Sequence, residues 1–163
     1  MTQLVPMSIK GLMLDPVSNS PIVVLKDDDE KFFLPIWVGI FEANAIALQL
    51  ENVSTPRPMT HDLLKNLLGE LDAQVTRVVI NDLRDSTFFA QIRVNTAGRT
   101  LEIDARPSDA IALALRVEAP IFVAQSVLDQ AQTITPEPGS DDEEKVKKWF
   151  EQLGPDELGK YKM

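Results

Sequence analysis

Apolar and polar residues alternate in two runs near the middle of the chain, which is the pattern of strands that bury one face. The apolar positions are Phe88, Ala90, Ile92 and Val94 in the first run and Leu101, Ile103 and Ala105 in the second. Residues 95–98 supply turn residues between the runs, so the sequence predicts a hairpin in which Val94 pairs with Arg99. In that register Glu102 lies opposite Gln91 and the two apolar faces coincide. Residues 75–82 precede this hairpin and turn back into it, which predicts a three-stranded meander.

Shorter strands and helices account for the remaining pattern. Strands are predicted over residues 7–14, 22–25, 32–37 and 121–124, and Pro35 indicates an edge position or a bulge in the third of these. A helix over residues 39–51 is apolar around most of its circumference, which implies burial on several sides or a subunit contact. Thr60 is the expected N-cap of a second helix. Its leucine stripe consists of Leu63, Leu64, Leu67, Leu68 and Leu71. A third helix covers residues 108–117, with either Arg106 or Ser108 as its N-cap.

The order of these elements predicts an α+β fold, with a mixed and largely antiparallel sheet packed with helices. We expect one domain over residues 1–134, a linker rich in proline and glycine over residues 135–139, and a helical tail over residues 140–163. The tail has an amphipathic pattern, with Val146, Trp149, Phe150 and Leu153 on one face. We expect it to dock on the domain or on a neighbouring subunit, because alone it would be marginally stable.

Composition narrows the classes of protein that fit. The chain has 163 residues, of which 44% are hydrophobic, and this suits one domain with a substantial core. Its apolar runs fall short of the roughly 20 residues that a membrane span needs, and its first residues lack the pattern of a signal peptide. Cysteine is absent from the sequence, which excludes disulfides and thiolate metal sites. A cytoplasmic location is therefore expected. The net charge of −9 argues against a broad basic surface for nucleic acid, so any polyanion site must be local or must recruit divalent cations.

Two corners of the meander carry the candidate chemistry. Their carboxylates belong to Asp82, Asp85, Asp104 and Asp109, and their guanidinium groups belong to Arg84 and Arg106. Because both corners are expected at the same end of the sheet, the carboxylates could hold Mg²⁺ or Mn²⁺, while the arginines contact a phosphate. The alternative is structural: Asp85 is a turn residue, Asp82 pairs with Arg106, and Asp109 or Ser108 caps a helix.

Three further side chains have both a chemical and a structural interpretation. His61 is the single histidine and could act as a general base or a ligand, or it could lie in the exposed first turn of its helix. Phe89 shares the polar face of its strand with Asp104 and could stack on bases, although core packing is the more common role of such a ring. Glu42 could be a fifth carboxylate of the site, but pairing with Lys31 or an arginine is the favoured interpretation.

Four blocks of sequence, INDLRDSTFFAQI, LEIDARPSDAIALALR, RPMTHDLLKNLL and LPIWVGIFEANAIAL, closely resemble the bifunctional nuclease domain family. The resemblance covers roughly residues 5 to 132 and implies an α+β fold, cleavage of both DNA and RNA, and a homodimer. Combined with the acidic corners, it leads us to expect a metal-dependent nuclease of low sequence specificity. Asp82, Asp85, Asp104 and His61 would be catalytic, and Arg57, Arg84, Arg106 and Phe89 would bind the substrate. The alternative from another class is a non-enzymatic, oligomeric binding or regulatory module.

Overall fold

A short parallel strand joins two antiparallel halves of one sheet. The computed structural model describes residues 3–131 and residue 133. In these residues the strands are β1 (Leu4–Leu14), β2 (Pro21–Asp27), β3 (Phe33–Trp37), β4 (Gln74–Arg84), β5 (Thr87–Thr96), β6 (Arg99–Ala105) and β7 (Ile121–Ala124). The helices are α1 (Ile40–Leu50), α2 (Thr60–Glu70), α3 (Pro107–Val117) and α4 (Gln125–Gln130).

The strand order is β3-β2-β1-β7-β4-β5-β6, and only the pairing of β4 with β7 is parallel. The expected α+β class with a mixed, largely antiparallel sheet is therefore confirmed, and the described residues form a single domain. β3 lies at one edge, where Pro35 leaves the sheet undisturbed, as its position in the sequence indicated. The predicted linker (135–139) and helical tail (140–163) lie outside the described residues.

The register predicted for the β5–β6 hairpin is wrong by two residues. Val94 pairs with Leu101 rather than Arg99, and the connecting loop is Ala97 and Gly98 instead of four residues. Both loop residues have positive φ angles, 49° and 73°, which is the geometry of the tight turns that suit twisted strands. A shift by two keeps every side chain on its predicted face. It places Glu102 directly opposite Arg93, with 2.6 Å between Nε and Oε1.

The start of α2 differs from the prediction, and the start of α3 agrees with one of its two alternatives. Met59 rather than Thr60 is the N-cap of α2, and the Asp62 carboxylate accepts a hydrogen bond of 3.0 Å from its backbone N–H. The Asp62 side chain, in the third position of the helix, therefore satisfies the backbone N–H of Met59, so a hydroxyl at the N-cap is not required. In α3 the N-cap is Arg106 and Pro107 is the first helical residue, which decides between the two alternatives.

The core lies between the sheet and α3. Nearly the whole of α3 is buried, including Ile111 and Ala112, because the helix contacts β4 and β5 on one side and α1 and α2 on another. Small alanine side chains allow this close approach on several sides.

The leucine stripe of α2 is present, but most of it does not enter this core. Leu63, Leu64, Leu67 and Leu71 are exposed, the last by 70%, and only Leu68 packs partly against the core. At the start of α1, Ile40 and Phe41 are exposed as well. Exposed apolar patches of this kind commonly mark interaction surfaces. None of the helices in the described part of the chain is both long and apolar enough to cross a membrane.

A buried carboxylate fixes the turn after β1. Asp15 is buried and accepts hydrogen bonds from the Trp37 indole N–H and the Val17 backbone N–H, both of 2.8 Å. Burial by itself would raise the pKa of Asp15, but these hydrogen bonds outweigh it and lower the pKa below its ordinary value. Its stabilising contribution is therefore complete above the unfolded pKa of about 3.9 and is lost as the pH falls through the lower folded value.

We expect Asp15→Asn to lower the free energy of unfolding at pH 7 by about 1–3 kcal/mol, since an amide N–H would face the indole N–H. The difference from the unsubstituted protein should shrink as the pH falls from about 4 toward the lower folded pKa, because Asp15 is protonated first in the unfolded chain and then in the folded protein. Urea unfolding at pH 7 and pH 3 measures both effects. The exposed Asp28, substituted in the same way, is the matched control and should change little. An equal loss for both variants would contradict a special role of Asp15.

Candidate functional site

The first turns of three helices meet at one polar cluster. Glu42 is the third residue of α1, His61 the second of α2 and Asp109 the third of α3, and Arg106 is the N-cap of α3. The backbone N–H groups at a helix start give this end a partial positive charge, which favours acidic side chains and anions. Three such ends therefore surround the four side chains.

The four side chains form a continuous chain of hydrogen bonds. His61 Nε2 lies 2.9 Å from Asp109 Oδ1, and the other oxygen of Asp109 accepts from Arg106 Nε at 3.0 Å and Nη2 at 2.8 Å. Arg106 Nη2 also donates to Glu42 Oε1 at 2.7 Å. This confirms the interpretation that Glu42 pairs with an arginine. The histidine is in the first turn, as expected, but it is buried rather than exposed.

The charges in this cluster define the roles of the histidine nitrogens. Burial would raise the pKa of Asp109, but hydrogen bonds from His61 and Arg106 and the charge of Arg106 lower it below its ordinary value. Hydrogen bonds to Asp109 and then Glu42 in turn raise the pKa of Arg106. Asp109 is therefore an ionised acceptor, and Nε2 of His61 is the donor in their hydrogen bond. The neutral ring then carries its free lone pair on Nδ1, which can accept a proton.

A second, more deeply buried arginine holds the same helices together. The Arg116 side chain is 3% exposed, and its Nε donates to Asp62 Oδ1 at 2.7 Å. Its Nη1 donates to the Ala112 carbonyl at 2.9 Å, and its Nη2 donates to the Ala45 carbonyl at 3.0 Å. The backbone hydrogen bond from Met59 lowers the pKa of Asp62 most, and Arg116 lowers it further. One guanidinium group therefore links α1, α2 and α3.

Gly39 leaves space for the Glu42 side chain at the start of α1. A Cβ atom at this position would collide with the Glu42 carboxylate, which folds back over the first turn of the helix. The side chain of Glu42 is largely buried there and faces Arg106. Glycine at the N-cap therefore helps to place the acidic end of the cluster.

The four predicted metal ligands are not brought together. Asp82 pairs with Arg84 at 2.9 Å and also accepts the Leu83 N–H, while Asp85 is exposed in the β4–β5 turn. Asp104 is exposed on β6, opposite Gln91 of β5. Within residues 3–131 and 133, acidic and histidine side chains nowhere form a group of three or more that could hold a metal ion. The expected convergence of these carboxylates is therefore wrong.

The physical reason for this separation lies in the sheet. Asp82 is on β4 and Asp104 is on β6, so β5 separates them by two strand spacings, about 10 Å. Their cross-strand partners, Phe89 and Gln91, lie on the face of β5 that alternates with its buried face. Asp109 follows on α3, which packs against the buried face.

The predicted substrate-binding residues occupy different places. Arg106 belongs to the polar cluster, and 54% of its side chain is exposed. Arg84 lies over the Phe89 ring, with 4.0 Å from its guanidinium carbon to the ring centre, so one face of this ring is already covered. Arg57 is exposed and lines a surface cavity beside α2. The structure thus joins His61, Asp109 and Arg106, and leaves the other predicted site residues outside this cluster.

Sequence reasoning missed the role of Arg116 and Asp62. The available signal was a basic residue seven positions after Asp109 in an otherwise apolar helix, hence on nearly the same face. A buried arginine requires partners, so this spacing could have indicated a second polar contact between helices.

The structure defines the class of protein: an α+β domain in which a histidine, carboxylates and an arginine form a cluster between the starts of three helices. Residues 23–136 match the bifunctional nuclease domain, and the chain belongs to that family. It is 36% identical over 159 residues to an uncharacterized protein of Mycobacterium tuberculosis, an alignment that covers 92% of this chain and 95% of that protein. It is 30% identical over 144 residues to Bifunctional nuclease 1 of Arabidopsis thaliana, which covers 81% of this chain and 44% of the plant protein.

Bifunctional nuclease 2 of Oryza sativa subsp. japonica is 29% identical over 122 residues, with 72% of this chain and 38% of the plant protein covered. The chain therefore spans less than half the length of these two plant nucleases. It matches the mycobacterial protein over nearly its whole length.

We expect Arg116→Met to destabilise the domain by about 3–5 kcal/mol, because it leaves the Asp62 carboxylate and the Ala45 carbonyl without their buried donor. Thermal and urea unfolding measure this loss. The matched control is Arg99→Met, since Arg99 is exposed at the β5–β6 turn and should change stability by about 0.5 kcal/mol or less. Similar unfolding curves for the two variants would show that Arg116 does not hold the helices together.

Proposed function

We propose that this protein hydrolyses phosphodiester bonds of DNA and RNA, and that His61, Asp109 and Arg106 form its reaction centre. The observation that carries the proposal is the hydrogen bond of 2.9 Å between the single histidine and Asp109. Membership of the bifunctional nuclease domain family and the named plant nucleases support the substrate class.

The proposed reaction uses His61 as a general base. Nδ1 takes a proton from a water molecule, the water oxygen forms a bond to phosphorus, and the bond from phosphorus to the leaving oxygen breaks. The leaving oxygen then takes a proton from the imidazolium ring or from solvent. Asp109 orients the ring and stabilises its positive charge during the reaction, as a carboxylate partner does in other histidine-dependent hydrolases.

Arg106 is proposed to bind the phosphate. Its exposed side chain can contact a non-bridging oxygen while Asp109 and Glu42 hold the guanidinium in place. The surrounding starts of α1, α2 and α3 also favour an anion. On a chain whose net charge is −9, and with two carboxylates beside Arg106, the phosphate would be held by the exposed side of this one guanidinium and by the N–H groups of the helix starts.

Mg²⁺ or Mn²⁺ has no matching set of ligands in this part of the chain. These ions prefer several oxygen donors in a nearly fixed geometry, and the described carboxylates are separated or paired with arginines. The metal dependence expected from the sequence thus has no set of ligands among the described residues to support it, and the steps proposed above use only side chains of the protein and water.

We expect His61→Asn to lower the cleavage rate by about 10²-fold or more, the usual contribution of a positioned general base. The double variant Asp82→Asn/Asp104→Asn should cleave within a few-fold of the unsubstituted rate, since both residues lie away from the cluster. Single-stranded DNA and RNA with fluorescent ends provide the assay. If the double variant loses activity while His61→Asn keeps it, the reaction centre lies at the acidic corners and not at His61.

Removal of divalent ions is a separate test. With purified protein in excess EDTA we expect less than a tenfold loss of cleavage, because the proposed centre contains its own base and cation. Thermal unfolding with and without MnCl₂ provides an independent readout of ion binding. Abolition by EDTA and recovery with Mn²⁺ would show that an ion takes part.

The exposed leucines of α2 favour a second proposal, that the protein forms a homodimer through this helix. A non-enzymatic oligomeric module, the alternative function, would rest on the same surface. A cytoplasmic location also stays a prediction.

Leu67→Glu should shift the mass measured by light scattering from dimer to monomer, whereas Val17→Glu, at another exposed apolar position, should not. An unchanged mass for Leu67→Glu would contradict this interface.

A further inference from the structure

A surface cavity of about 320 Å³ lies beside the polar cluster, between the end of α1, the connector to α2 and α2 itself. Its volume is at the lower end of the range for small-molecule sites, about 300–1,000 Å³. The residues that matter here are Gln49, Val53, Pro56, Arg57, Asn66 and Arg116.

Two amide side chains face this space from different helices. Gln49 is near the end of α1 and Asn66 is in the middle of α2, and both line the cavity. Neither side chain forms a hydrogen bond to any residue in the described part of the chain. A carboxamide presents a donor and an acceptor side by side, which matches the paired donors and acceptors on the edge of a nucleobase.

Apolar groups form another part of the wall. Leu48, Val53, Pro56 and Pro58 line the cavity, and the two prolines hold the connector in a restricted conformation. A flat ring can lie against such groups while its polar edge reaches the amides. The combination of amides and rigid apolar groups therefore suits a planar heterocycle better than a flexible charged molecule.

The two arginines of the cavity differ in their availability. Arg116 is neutralised by Asp62 and by two backbone carbonyls, so it shapes the wall. Arg57 is exposed and, within residues 3–131 and 133, has no ion pair. Its guanidinium group can therefore bind a phosphate attached to the heterocycle.

The cavity is close to the proposed reaction centre. Asp62 lines it and directly follows His61, and Arg116 lies about two helical turns, roughly 10 Å, beyond Asp109 on α3. A distance of this order is comparable to one or two nucleotides of an extended strand.

We propose that this cavity binds one nucleobase, with Gln49 and Asn66 contacting its edge and Arg57 its phosphate. The proposal rests on the proposed function, because it gives the cavity the task of holding a strand whose neighbouring phosphodiester bond lies at His61. A free nucleotide and a nucleic acid strand both present such a base, and the chemistry of recognition is the same in both.

The test is direct binding to the full chain, followed by NMR chemical shifts in ¹⁵N-labelled protein. Adenosine 5′-monophosphate should shift resonances of the cavity residues in a saturable way, and Gln49→Ala/Asn66→Ala should weaken this binding at least tenfold. Arg57→Ala should weaken the nucleotide but not adenosine. The exposed Asn44 of α1 lies outside the cavity lining, and Asn44→Ala is the matched control, which should bind as the unsubstituted protein does.

Two further experiments distinguish a free nucleotide from a strand as the source of the base, and distinguish failure of this inference from failure of the proposed function. A short oligodeoxynucleotide should bind more tightly than the same oligomer with abasic sites if the cavity accepts bases within a strand; equal affinities would restrict it to free nucleotides. His61→Asn should bind the mononucleotide normally while its cleavage is lost. Absence of saturable shifts at the cavity, or full binding by the double amide variant, would overturn the inference even if cleavage by the unsubstituted protein is demonstrated.

Discussion

The arrangement of the three helices depends on the buried guanidinium group of Arg116. A charged group in the interior is tolerated when it is paired and hydrogen-bonded, and here the acceptors are Asp62 of α2, Ala45 of α1 and Ala112 of its own helix. The fixed planar fork of arginine sets the directions of these hydrogen bonds. Because α2 contributes few buried apolar side chains, this contact and that of His61 determine how it lies against α3.

The polar cluster at the helix starts follows from that arrangement. Once α1 and α2 are held against α3, their first turns bring Glu42 and His61 to the N-terminal turn of α3, where Asp109 and Arg106 complete the chain of contacts. Negative side chains near helix starts are individually stabilising, and the pairing with Arg106 limits their mutual repulsion. The same arrangement leaves Arg106 accessible to an anion. Stability and the proposed chemistry thus use the same contacts.

Local pattern was sufficient for the fold class and insufficient for the site. Alternation along β5 and β6 assigned each side chain to its face even though the register was wrong by two residues, because side-chain direction has a period of two. The burial of His61 could not be predicted from its first-turn position, since it depends on the packing of α2 on α3. The acidic corners were misinterpreted because arrival at the same end of a sheet does not bring side chains together: Asp82 is two strands from Asp104, and Asp109 belongs to α3. Glu42 was interpreted correctly because an acidic residue in an apolar helix requires a partner.

The proposed chemistry requires that Asp109 holds the imidazole of His61 with Nδ1 free to accept a proton. Long-range ¹H–¹⁵N correlation spectra of the labelled protein report this directly, since a single histidine gives one pair of ring-nitrogen signals. We expect the neutral ring to carry its hydrogen on Nε2, and we expect Asp109→Asn to change this distribution. A neutral ring that carries its hydrogen on Nδ1 in the unsubstituted protein would rule out this arrangement, because Nδ1 could not then serve as the base.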